Sequence, residues 1–123
     1  QAWADAMGFS QNGQERAVTI SSDATAYNLA DTDTFLRVGA TADFPVKIDS
    51  IATDDKTFFN MTVWVSQGVT PYEINAVSFY NGSAYEAATQ VKTKGTALAN
   101  NVQAFKITGI KLGGNWSVNI DIG

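Results

Sequence analysis

Side chains able to do chemistry are few in this chain, and their types narrow what that chemistry could be. The sequence holds no histidine and no cysteine, which removes the commonest general base, the thiolate nucleophile and the usual transition-metal ligands. What remains are carboxylates, amides, hydroxyls and aromatic rings. Asp23, Asp31 and Asp33 lie in the stretch SSDATAYNLADTDTF. Hard cations take several oxygen ligands, and an Asp-x-Asp pair in an extended loop can turn two carboxylates to one side, so these three are the candidate calcium ligands. Their spacing departs from an EF-hand loop, and solvated turn aspartates are the competing reading. Glycoside hydrolysis would need two carboxylates facing across a cleft, one with a raised pKa. Glu73 and Glu86 are conceivable members of such a pair, but nothing in one sequence brings them together. A serine or threonine nucleophile has no histidine to activate it, and no glycine-rich phosphate loop follows a strand pattern. The expectation is a protein without catalytic activity and without a resident cofactor, calcium excepted.

Amides and rings point to glycans in two ways. Asn60-Met61-Thr62, Asn81-Gly82-Ser83 and Asn115-Trp116-Ser117 are Asn-x-Ser/Thr triplets, so Asn60, Asn81 and Asn115 are candidate glycosylation acceptors, which must lie exposed to be modified. Trp64 falls on the outward phase of its segment, with Tyr80 and Tyr85 beside a turn, and exposed rings of this kind can stack on sugars. Stretches NNVQ at 100–103 and SVNI at 117–120 are similar to segments near the end of the small calcium-dependent galactose-binding bacterial lectins. The Asp/Asn-rich calcium loop between those segments in that family is missing here, and the resemblance implies no binding residues.

Composition sets the wider bounds. With 45% hydrophobic and 11% aromatic residues in 123 positions, one packed core is expected. Charged residues are only 16%, below the roughly 25% of an average soluble domain, while Thr, Ala, Asn, Ser and Gly are abundant; this bias suits a secreted β-rich protein. The net charge is −4 and the eight Lys and Arg residues are scattered along the sequence, which disfavours binding to a phosphate backbone. No apolar run approaches the roughly 20 residues that would insert in a membrane. A chain opening on Gln1 fits a processed extracellular or cell-surface form.

The elements that must position these residues read as strands. Short runs rich in β-branched and aromatic residues recur between Gly, Asn, Asp and Ser clusters, near positions 17–21, 34–42, 45–52, 58–67, 74–80, 88–93, 102–111 and 116–122. In FFNMTVWVS, Phe59, Met61, Val63 and Val65 share the core face. The apolar phase breaks before Ile51 and at Gly109, where either a bulge or burial of both faces is expected. YNGS at 80–83 and LGGN at 112–115 read as tight hairpins. This spacing predicts an all-β fold, an antiparallel β-sandwich of jelly-roll or immunoglobulin-like type with about 7–8 strands. Residues 15–123 would form that single domain. Residues 1–14 would form an apolar N-terminal arm carrying Trp3, Met7 and Phe9, a donor segment able to fill a groove or sheet edge in another copy.

These readings converge on an extracellular structural subunit that assembles with copies of itself into a filament, pilus-like fibre or surface layer by strand donation. The alternative is a secreted carbohydrate-binding module or lectin using Trp64, Tyr80 and Tyr85. Copies of the chain itself are the expected partners, glycans are candidate ones, and nucleic acid and membrane insertion are not expected.

Overall fold

The computed structural model describes residues 18–49 and 51–123; the arm with Trp3, Met7 and Phe9 lies outside them. Its regular structure is ten strands: β1 (Val18–Ile20), β2 (Ala26–Asn28), β3 (Thr34–Arg37), β4 (Phe44–Asp49), β5 (Phe58–Ser66), β6 (Ile74–Tyr80), β7 (Tyr85–Ala87), β8 (Gln90–Lys94), β9 (Val102–Leu112) and β10 (Asn115–Ile122). The all-β expectation stands, but the antiparallel sandwich does not. The chain winds as a β-solenoid of about 3 turns. β1, β3 and β5 stack in parallel in one sheet, and β2, β4 and β6 stack in parallel in the other.

Connection length explains the difference. Antiparallel neighbours can be joined by a tight turn, whereas parallel neighbours need a long crossover. From β1 to β6 the links run five to eight residues, and each carries the chain to the other sheet rather than back beside the strand it left. Among the described residues, tight hairpins between paired strands occur only after Ile74. Asn81–Ala84 closes the β6–β7 hairpin with Gly82 at φ 99°, and Gly113 and Gly114, at φ 61° and 82°, close β9–β10. Positive φ at both central residues is the geometry that glycine tolerates best and that matches strand twist. Antiparallel pairing follows in that half, with β5–β9, β9–β10 and β6–β7.

The longer sheet therefore runs β1-β3-β5-β9-β10-β8, and the shorter runs β2-β4-β6-β7. The C-terminal strand pairs antiparallel with β9 on one side and parallel with β8 on the other, so its own domain satisfies both of its edges. Of the two expected phase breaks, the one at Gly109 is absent from the ladder. β9 keeps continuous register with both neighbours through Gly109, leaving Ile110 half-buried and Leu112 exposed on the outer face. β4 runs to Asp49 with a register shift between Phe44 and Pro45; the break expected before Ile51 falls at residue 50, outside the described residues, and Ile51 itself packs against the core.

Stacked coils align inward side chains into ladders. Val63 pairs with Phe35 on one side and Phe105 on the other, and Phe105 pairs with Ile122; in the shorter sheet Tyr27, Ile48 and Phe79 are in register. Phe59, Met61, Val63 and Val65 all face this core, as their alternation predicts. Two polar features interrupt it. Arg37, 2% exposed, occupies a rung between Ile20 and Val65; it pairs with Asp23 in the β1–β2 turn and lies 4.6 Å from the Phe44 ring centroid. Buried Gln67 and Gln103 hold the loops. Gln67 exchanges hydrogen bonds with the Tyr72 backbone, its Nε2 donating at 2.8 Å and its Oε1 accepting at 2.9 Å. Gln103 accepts from Leu98 N–H at 2.8 Å and donates to the Thr96 carbonyl at 2.9 Å.

Two stability predictions follow from this packing. A Cβ at Gly109 would overlap the Phe59 ring and lie 3.0 Å from the Ser117 carbonyl. Gly109→Ala should cost about 1–3 kcal/mol in denaturant unfolding, and less when combined with Phe59→Leu. The Tyr27 hydroxyl is buried without a hydrogen-bond partner, and burial, partly offset by Arg37, pushes its pKa from 10.0 up to about 12. The neutral phenol is thus favoured in the folded state, and its contribution is present below pH 10 and lost as pH rises toward 12. Tyr27→Phe should not lower the unfolding midpoint at neutral pH and should flatten its alkaline decline.

Candidate functional site

The sequence-predicted residues do not gather. Asp23 is paired with Arg37, Asp31 and Asp33 lie in the turn before β3, and no group of three His, Cys, Asp or Glu side chains able to hold a metal ion is found among the described residues. Trp64, 43% exposed, stands on the outer face of the longer sheet in register with Leu36 and Ala104. Tyr80 and Tyr85 pair on the outer face of the shorter sheet, ring centroids 5.1 Å apart, with Lys47 Nζ 5.8 Å from the Tyr85 ring centroid. A single sugar cannot touch both groups, because the two sheets turn these faces in opposite directions. Asn60, Asn81 and Asn115 are all exposed. Asn81 is already occupied: its Oδ1 accepts from the Ser83 and Ala84 amides at 2.9 Å, and its Nδ2 donates to Glu86 at 3.0 Å.

Glu86 is a structural anion. Its Oε1 accepts from Lys111 Nζ at 2.9 Å and from Trp116 Nε1 at 3.0 Å. Hydrogen bonds from Lys111, then Asn81, then Trp116 hold its pKa down to about 2, so it carries no proton to donate at neutral pH. Glu73 sits just before β6, while Glu86 pairs with Phe79 near that strand's far end; the two carboxylates do not face one another.

The arrangement with most left to engage is the β9-β10-β8 end of the longer sheet. β8 pairs only with β10 among the described residues, and every one of its five residues is exposed. The shorter sheet has four strands against six, so no described strand covers the inward side chains of β8, and Val91, in register with buried Val118, is 37% exposed among the described residues. On the outer face, continuous register lines up side chains across four strands. One row is Asn60, Thr108, Asn119 and Lys92; the next is Thr62, Lys106, Asp121 and Lys94. Three of the eight basic residues of the chain thus share one face. Sequence distance hides this, because β9 and β8 are brought together by a strand, β10, that follows both. The available signal was the alternation in QVKTK, which sets Lys92 and Lys94 on one side of a strand.

The chain matches no protein-family model, no curated protein and no solved structure.

Because the Glu86 pKa is lowered from 4.5 to about 2, the stability it contributes is present above pH 4.5 and is lost as pH falls toward 2. Glu86→Gln should lower the unfolding midpoint at pH 7 and flatten the acid limb of the stability profile, measured by denaturant unfolding followed by circular dichroism across that range.

Proposed function

We propose that the protein is a non-catalytic structural subunit of an extracellular assembly, in which copies join end to end through the open end of the longer sheet. One observation carries the reading: β8 and β1, the two outer strands of that sheet, run in the same direction. β1 is parallel to β3 and β3 to β5; two antiparallel steps through β9 restore that direction in β10, and β8 follows β10 in parallel. A second copy placed by translation along the solenoid can therefore set its β1 beside β8 as a further parallel pair. Such a contact is head-to-tail and does not close on itself, so repetition gives a filament.

The overhang favours the same joint. Unpaired backbone groups along β8 and the uncovered Val91 side chain are the features that draw a strand to a sheet edge. Strand donation then means addition to an edge rather than insertion between the sheets, because the described strands already form a continuous core. In this reading Trp3, Met7 and Phe9 of the 1–14 segment are the apolar donor residues that cover the overhang of the neighbouring copy. With strands about 4.8 Å apart, six strands give an axial repeat of about 29 Å.

Negative-stain microscopy and sedimentation velocity test the proposal. Wild-type protein should form filaments with that repeat, and Val91→Asp, which places a charge on the overhang, should yield folded monomers. Wild-type protein that sediments as a monomer at the highest attainable concentration would defeat the reading, and polymer unchanged by removal of residues 1–14 would take the donor segment out of the mechanism.

A further inference from the structure

We infer that the outer face of β9, β10 and β8 is a binding site for an anionic polysaccharide segment, a glycan bearing carboxylate or sulfate groups. A hollow of about 460 Å³ opens there, lined by Lys92, Lys94, Lys106, Thr108, Asn119 and Asp121 among others. A second hollow of about 240 Å³ shares Thr108 and Asn119 with it and extends to Gln90 and Ser117. Their linings follow one another along β8, β10 and β9, from the Gln90–Ser117–Ile110 rung to the Lys94–Asp121–Lys106 rung, as a shallow trough. The larger is within the range of roughly 300–1,000 Å³ typical of ligand sites.

Charge decides the class of ligand. Lys92, Lys94 and Lys106 face the trough against a single carboxylate, Asp121, so this face is cationic on a molecule whose net charge is −4. Asp121 stands in register between Lys106 and Lys94, where a cross-strand ion pair would be expected if the row served only the sheet. None forms: among the described residues, Asp121 makes no ion pair with Lys94 or Lys106, unlike Asp23 with Arg37 and Glu86 with Lys111. Three ammonium groups are therefore free to meet a ligand's anions, each as a strongly hydrated point charge. Lys92 and Lys94 lie two residues apart on one strand, about 6.6 Å along it. Lys94 and Lys106 are separated by two strand spacings, about 9.6 Å. Anions borne at intervals along an extended chain fit such a pattern better than one compact anion does.

The remaining groups favour a sugar over a nucleic acid. Between the lysines the lining offers amides and hydroxyls, from Asn119, Thr108, Ser117 and Gln90, which both donate and accept as ring hydroxyls require. No aromatic ring lines either hollow, so there is no platform for stacked bases. Asp121 accepts hydrogen bonds from hydroxyls and repels an anion placed directly over it, which makes the site selective for the position of charge along the chain. The site stands on the sheet face, not its edge, and does not depend on the assembly reading.

Calorimetric titration of the full chain with four probes tests the inference: an oligogalacturonate, a sulfated heparin-type oligosaccharide, a neutral methyl-esterified oligogalacturonate, and oligothymidylate. Saturable binding of either anionic sugar, with its preference over the other naming the anion, is expected. It should weaken with added salt, with the neutral sugar and oligothymidylate binding at least about tenfold less tightly. Lys106→Glu should weaken it about tenfold or more, Asp121→Asn should tighten it, and Lys47→Glu on the opposite sheet should leave it unchanged. Val91→Asp should preserve it, which separates this site from the proposed joint. Amide shifts of Thr108 and Asn119 in the wild-type protein should move with ligand, a readout independent of any variant's folding. No binding of either anionic sugar, binding indifferent to Lys106→Glu, or equal affinity for oligothymidylate would overturn the assignment.

Discussion

The end of this solenoid hangs on one aromatic contact. Trp116 of β10 stacks on Phe79 of β6, ring centroids 3.8 Å apart and planes within 19°, while Phe59 of β5 meets both edge-on. The three rings come from both sheets, so they fix the distance and twist between them at the point where the coils stop. Aromatic pairs of this geometry contribute about 0.5–1.5 kcal/mol beyond the area they bury. The indole N–H would be left unpaired in that environment, and Glu86 accepts it. The same carboxylate holds Lys111, which also donates to the Thr53 carbonyl at 2.6 Å, so one anion ties the β7 strand, the β9–β10 hairpin and the 51–57 loop to the stack.

What lies beyond this contact follows from it. Because Trp116 and its partners Val118, Ile120 and Ile122 are buried, β10 is locked in place and presents a free edge, on which β8 pairs in parallel. The shorter sheet has ended by then, and among the described residues β8 has no strand on its second edge and no sheet over its inner face. A strand in that position is either a place of association or one protected from it. Its lysines point to the outer face rather than along the edge, so they leave the edge open to pairing and furnish the trough instead.

Residues that looked able to act chemically are mostly at work holding the fold. Asp23 neutralises a buried arginine, Glu86 satisfies an indole, and Asn81 closes a turn. The residues with unmet capacity, Lys92, Lys94 and Lys106, drew no attention in one dimension because each has an ordinary neighbourhood in sequence. Only the order β9-β10-β8 sets them within reach of a common ligand.

Alternation of apolar and polar side chains determined that the chain is all-β, which face of β5 is buried, and that the last residues form a held strand, since a period of two is a local property of an extended backbone. Gly113 with Gly114, and Gly82 after Asn81, likewise located the hairpins through conformations that few other residues adopt. Strand direction was not determined, because parallel and antiparallel ladders place the same side chains inward and differ only in the path between strands. The three-residue β2 and β7 carry too few alternations to register, and Arg37 sits where the pattern would put an apolar residue. The solenoid, the pairing of β8 with the second edge of the final strand and the cationic face were decided by tertiary structure alone, because each depends on which strands become neighbours, and that is settled by packing two sheets around one core.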